Sequence, residues 1–92
     1  MEFAEAFGIT LRRLRLSKGL TQEAFYSIVS ESYVSKLEKG KRTPTWPLVT
    51  EIALVLGIDP LTLITLAVAE QRQVDAAGLA DTVSLSVKNL LE

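Results

Sequence analysis

Hydrophobic and polar positions alternate along this chain with helical spacing. Phe3, Phe7, Leu11 and Leu14 recur every three or four residues, one stripe of a helix over about Phe3–Lys18 that Gly19 stops. Thr21 reads as a cap for a short second helix, with Ala24, Phe25 and Ile28 turned inward. Ser30 caps a third helix from about Glu31 to Lys39 that buries Val34 and Leu37 and ends at Gly40. Beyond the loop Lys41-Arg42-Thr43-Pro44, Thr45 caps a fourth helix with Pro47 in its first turn. Trp46, Val49, Ile52, Ala53 and Leu56 are expected on its inner face. Asp59 and Pro60 open a fifth helix to about Glu70, apolar nearly all round and therefore needing cover on more than one side. In the tail, Ala76, Leu79, Val83, Val87 and Leu90 keep a helical period. Residues Val83–Val87 also alternate like a strand; the helix is the better fit. The expected fold class is all-α.

The apolar run Leu48–Ala69 has the length of a membrane span. Glu51 and Asp59 interrupt it, and Gly57-Ile58-Asp59-Pro60 breaks it into two helices, so no membrane segment is expected. The first residues carry acid where a secretory signal carries base. With 92 residues there is room for one domain. Cysteine and histidine are both absent, which removes disulfides, thiolate metal sites and the usual general base. No catalytic site, metal, cofactor or small-molecule ligand is expected, and the cysteine-free composition fits a reducing cytoplasm. The net charge of −1 conceals an asymmetry: residues 1–42 hold eight bases and five acids, residues 43–92 two bases and six acids. A polyanion partner would suit the first half only.

Two short helices joined by a tight turn, with a basic loop after the second, form the arrangement in which a helix enters the DNA major groove. The run Phe7-Gly8-x-x-Leu11-Arg12-x-Leu14-Arg15-x-x-Lys18-Gly19-Leu20-Thr21-Gln22-Glu23 resembles the start of the Cro/C1-type helix-turn-helix regulators (XRE family). Ser30-x-Ser32-Tyr33-Val34-Ser35-x-Leu37-Glu38-x-Gly40-x-Arg42-x-Pro44-Thr45 and Ile52-Ala53-x-x-Leu56-Gly57-Ile58 match its second half. The resemblance covers about residues 3–66. It implies a five-helix, lambda-repressor-like DNA-binding domain over residues 1–70, with residues 71–92 as an extension for dimerisation or packing. It also departs from the family in one place. About two residues, including a turn glycine, are missing between Glu23 and the third helix, so the second helix must be short or its turn built differently.

By resemblance, Arg15 and Glu38 form a buried ion pair joining the first and third helices, and Gln22 reaches a phosphate. Ser30, Glu31, Ser32, Tyr33, Ser35 and Lys36 belong to the groove-facing set. Lysine suits guanine, serine several bases, and a carboxylate the cytosine amine. Two members carry an alternative: Glu31 is equally a first-turn acid favoured by the helix dipole, and Tyr33 equally a scaffold residue. Lys41 and Arg42 suit backbone phosphates, with Arg12 and Arg13 as weaker candidates. The expected partner is double-stranded DNA, bound by a homodimer acting as a repressor. Apolar surface on the fifth helix and tail, together with Leu48 and Val55 at the edge of the fourth helix's inner stripe, is the expected dimer face. The competing reading is an antitoxin-like module whose C-terminal half grips a partner protein, with DNA binding secondary.

Overall fold

The computed structural model describes residues 1–92. Five α-helices follow one another, α1 (Phe3–Ser17), α2 (Glu31–Glu38), α3 (Trp46–Leu56), α4 (Pro60–Arg72) and α5 (Ala76–Leu91), and no strand forms. The expected all-α class is observed, and the tail is a helix. The expected second helix is instead a 3-10 turn, Gln22–Phe25. The expected third helix is therefore α2. The chain has too few residues there for a full α-helix before Ser30 starts the next element.

Four N-caps act through their side chains, whereas Thr21, the expected cap of the second helix, precedes the 3-10 turn without a side-chain hydrogen bond. Ser30 accepts from the Tyr33 amide, Thr45 from Leu48, Asp59 from Leu61 and Asp75 from Gly78. Phe7 and Leu11 of α1, Phe25 of the turn, Val34 and Leu37 of α2, Ile52 and Leu56 of α3 and Leu63 of α4 meet in one core. α1 is the central element and packs on α4 along one side and on α2 along another. α4 is covered by α1, α3 and α5, as its apolar circumference requires. The apolar run from Leu48 to Ala69 is split between α3 and α4, which are bent by 105°, and no single helix is long and apolar enough to cross a membrane.

Trp46 departs from expectation, being 51% exposed. It stands three residues before the buried Val49 and shares its face. As the first residue of α3, however, it overhangs the open end of the helix, beyond the reach of the core. Leu48 and Val55 are half-buried and pack against the core. α5 has no buried residue and leans mainly on α4, which helps stretch the molecule to 45 × 25 × 23 Å.

Two glycines set the approach of α1 to α2. A Cβ on Gly8 would lie 2.5 Å from the Leu37 carbonyl oxygen and 2.7 Å from that of Glu38. Gly40, just beyond α2, has φ +73°, and its Cβ would lie 2.9 Å from the Glu5 Cα. Gly8→Ala ordinarily improves a helix by up to about 1 kcal/mol. Here it should destabilise the fold by about 1–3 kcal/mol, because backbone must move to admit the methyl group. Urea unfolding reads the sign directly, and a stabilised variant would refute the close contact.

Candidate nucleic-acid interface

The presentation of α2 begins with the turn before it. Phe25 is fully buried and pins the 3-10 turn, while the Ile28 and Val29 amides both donate to the Phe25 carbonyl and reverse the chain. Ser30 then starts α2. Val34 and Leu37 enter the core, which fixes the rotation of the helix about its axis. Ser32 and Lys36 stand one turn apart on the opposite, exposed face. Lys39, three residues further on, continues that row and is exposed as well. It is not among the residues expected at the groove, although the same helical spacing marks it in the sequence.

The remaining candidates differ in how free they are. Glu31 is exposed at the first position of α2. With Glu23 it raises the pKa of the Tyr26 phenol, after a larger contribution from the local loss of solvent. Ser35 is half-buried, and Tyr33 is half-buried against the core, which gives it a scaffold contact. The Ser30 hydroxyl oxygen is engaged in capping. Lys41 and Arg42 are exposed in the following loop, where the Arg42 guanidinium donates to the Lys41 carbonyl at 3.2 Å. Arg12 is exposed, and Arg13, whose side chain is 68% exposed, also bridges α1 to Glu70 of α4 at 3.1 Å.

Behind this face lies a network around Glu38. Arg15 donates from Nε to Glu38 Oε2 at 2.7 Å and from Nη2 to Oε1 at 2.9 Å, a two-pronged pairing. Its third nitrogen, Nη1, donates to the Leu20 carbonyl at 3.0 Å. Gln22 Nε2 donates to Glu38 Oε1 at 3.1 Å. The side chains of Arg15 and Glu38 are 10% and 3% exposed. Burial by itself disfavours the Glu38 carboxylate. The hydrogen bonds from Arg15 and Gln22 and the nearby positive charge outweigh it and hold the carboxyl below the usual carboxylate range. The hydrogen bond to Glu38 raises the Arg15 pKa in turn, against its own burial. Gln22, expected at a phosphate, thus has one amide hydrogen committed to the scaffold.

A helix held by its apolar side and offering serine and lysine outward, after a tight turn and before a basic loop, is a helix-turn-helix. The helix-turn-helix domain family matches residues 6–64. The chain belongs to that family, as its resemblance to the Cro/C1-type regulators implied. An uncharacterized HTH-type transcriptional regulator, y4dJ of Sinorhizobium fredii (strain NBRC 101917 / NGR234), is 40% identical over 67 residues, 71% of this chain and 87% of the relative. No solved structure matches at comparable significance.

Removing one partner of the central pair strands a buried charge. Arg15→Ala should lower unfolding free energy by about 3–5 kcal/mol, with a smaller loss when Arg15→Met and Glu38→Leu are combined. Equal losses in denaturant titrations of the two variants would contradict an unpaired charge as the cause. The pH dependence follows from the lowered Glu38 pKa. The folded state binds fewer protons at this site than the unfolded chain, so the contribution is complete above the ordinary glutamate range. It is lost as pH falls through the depressed folded value. Thermal unfolding followed down the acid range should show this loss, and Glu38→Gln should flatten it. An identical acid limb in that variant would assign the loss to other carboxylates.

Proposed function

We propose that this protein is a cytoplasmic, sequence-specific regulator that binds double-stranded DNA as a homodimer and acts as a repressor. The observation that carries the reading is the outward row Ser32, Lys36 and Lys39 on a helix whose opposite side is locked into the core. In this reading α2 lies in the major groove. Lys36 donates to guanine O6 and N7, and Ser32 and Ser35 contact neighbouring bases. Glu31 meets a cytosine amine or favours the helix start, while Ser30 and Tyr33 set the position of α2. Lys41 and Arg42 grip phosphates and fix the register without reading sequence. Gln22 offers its second amide hydrogen to a phosphate while Glu38 holds the first.

The name of the Sinorhizobium fredii relative, a transcriptional regulator, supports the regulatory part of the reading. A dimer would place two copies of α2 on half-sites about 34 Å apart. The bare apolar face of α5 favours a second reading, in which an antitoxin-like C-terminal half holds a different protein and DNA binding is secondary.

Selection from a random duplex library separates these readings. The expected product is an inverted repeat. Lys36→Ala should weaken binding to it by about tenfold or more and relax the preference at one position in each half-site. Lys41→Ala and Arg42→Ala should weaken all sequences alike, each reducing the slope of log affinity against log salt by about 1. Absence of enrichment, with only weak binding that vanishes by about 200 mM salt, would overturn the sequence-reading role.

A further inference from the structure

Two apolar features stand outside the core. One is the stripe of α5 that carries Val83, Val87 and Leu90; the other is Trp46 at the start of α3. Their electrostatic settings differ. The helix of the stripe and its two ends hold Asp75, Asp81 and Glu92 against the single base Lys88. Around Trp46, the sequence from Lys39 to Thr50 holds three bases, Lys39, Lys41 and Arg42, and no acid. α3 belongs to the acidic part of the chain, yet its first turn is uncharged. The next acid, Glu51, lies five residues along α3, about 140° round the helix from Trp46.

Trp46 is held in place without being covered. Pro44, two residues before it, and Val49, three residues after it, are both buried, so the chain is anchored on either side. The neighbouring hydroxyls are occupied: Thr45 accepts from the Leu48 amide, and Thr50 donates to the Pro47 carbonyl. The indole N–H has no acceptor in the chain, and half of the residue is open. A large aromatic side chain buries about 150–250 Å² when it packs, so an open ring on a fixed backbone forgoes much of that gain within one copy.

We propose that Trp46 contacts the DNA backbone, its ring lying against a deoxyribose and its Nε1–H donating to a phosphate oxygen of the strand that Lys41 and Arg42 grip. The proposal rests on the DNA-binding reading above and adds an uncharged contact to it. Charge selects the occupant, because a polyanion is drawn to a segment that holds bases alone. Reach agrees. Arg42 and Trp46 are four residues apart, at most about 14 Å along an extended chain. Their loop leaves a helix that the reading sets in a groove about 12 Å wide, so both fall at the groove wall, where the phosphates stand. The indole suits that wall in two ways: an apolar face for sugar carbons and a free donor for a phosphate. Such a contact positions the duplex without reading its sequence, and it releases no counterion.

Trp46 is the only tryptophan of the chain, so its fluorescence reports the contact without any substitution. The probes are two duplexes of equal length at low salt, one carrying the site enriched in the selection above and one scrambled. Acrylamide should quench the free protein efficiently at every protein concentration. Saturation with either duplex should lower the quenching constant by about twofold or more, as the open half of the ring is covered. Trp46→Ala should weaken both duplexes by about three- to tenfold, the worth of a hydrogen bond and the covered ring. It should leave the slope of log affinity against log salt unchanged, unlike Lys41→Ala and Arg42→Ala. Trp46→Phe, which keeps a ring but has no N–H, should recover part of the loss. Should Trp46→Ala fail to fold, quenching of the wild-type chain decides alone. Duplex binding that leaves Trp46 as open to acrylamide as before would overturn this proposal while the DNA-binding reading stands. Protection that grows with protein concentration in the absence of duplex would place Trp46 in a protein contact and overturn it as well. Failure of both duplexes to bind would overturn the proposal and the reading together.

Discussion

The close contact between α1 and the last turn of α2 is the constraint on which the rest of the molecule depends. α2 has eight residues, far below the length at which a helix holds in water by its own hydrogen bonds. Its order must come from tertiary contacts. Gly8 lets α1 lie directly beneath the Leu37 and Glu38 carbonyls, and Gly40 lets the chain leave α2 against the backbone of Glu5. Arg15 then locks the contact. One guanidinium reaches the loop after α1 through Leu20 and α2 through Glu38, and Glu38 receives Gln22 from the 3-10 turn. Arg15 of α1 and Gln22 of the 3-10 turn thus meet on the one carboxylate of α2. No buried side-chain polar atom is left without a hydrogen-bond partner, so the charge of Glu38 carries no uncompensated desolvation.

That arrangement separates holding from reading. The groups that fix α2 lie behind it and at its two ends, while the exposed row of Ser32, Lys36 and Lys39 takes no part in holding the helix in place. Substitutions in the row leave the core intact. A change at Arg15 or Gly8 would instead disturb the helix position, and with it every contact made by the exposed row. Affinity lost through such a change would report on the scaffold, whereas under the proposed reading affinity lost at Lys36 would report on recognition.

Most of the frame is legible in the sequence because its signals are local. Ser30, Thr45 and Asp59 are caps by residue type and position, and their side chains make the hydrogen bonds that type implies, as does Asp75; Thr21, of the same type, makes none. The misses arise where periodicity meets an element end. Trp46 has the right spacing for the inner face, yet the spacing does not state that the first residue of α3 is left outside the core. The 3-10 turn is concealed because four residues are too few to distinguish a period of three from one of 3.6. The engagement of Gln22 by Glu38 spans 16 residues and requires the tertiary fold before it can be read. Among the site residues, helical spacing suffices to place Ser32 and Lys36 on one face. It cannot tell that Tyr33 leans into the core or that Arg13 bridges to Glu70.

The charge asymmetry gains meaning once the elements are in place. The basic half of the chain contains α1, the turn, α2 and the loop carrying Lys41 and Arg42; the acidic half contains α3, α4 and α5. A polyanion is thus attracted to the half bearing the exposed polar row and repelled by the half bearing the bare apolar stripe. The division has a physical advantage. An apolar surface beside a basic one invites nonspecific adhesion to nucleic acid, whereas the acids Asp75, Asp81 and Glu92 on α5 and its N-terminal cap oppose it. The exposure of α5 follows from economy of core. α1, α3 and α4 already close around Phe7, Ile52 and Leu63, so an additional helix has only the outer side of α4 to lean on. Its stripe therefore remains unburied within one copy, because the fold beneath it is complete without it.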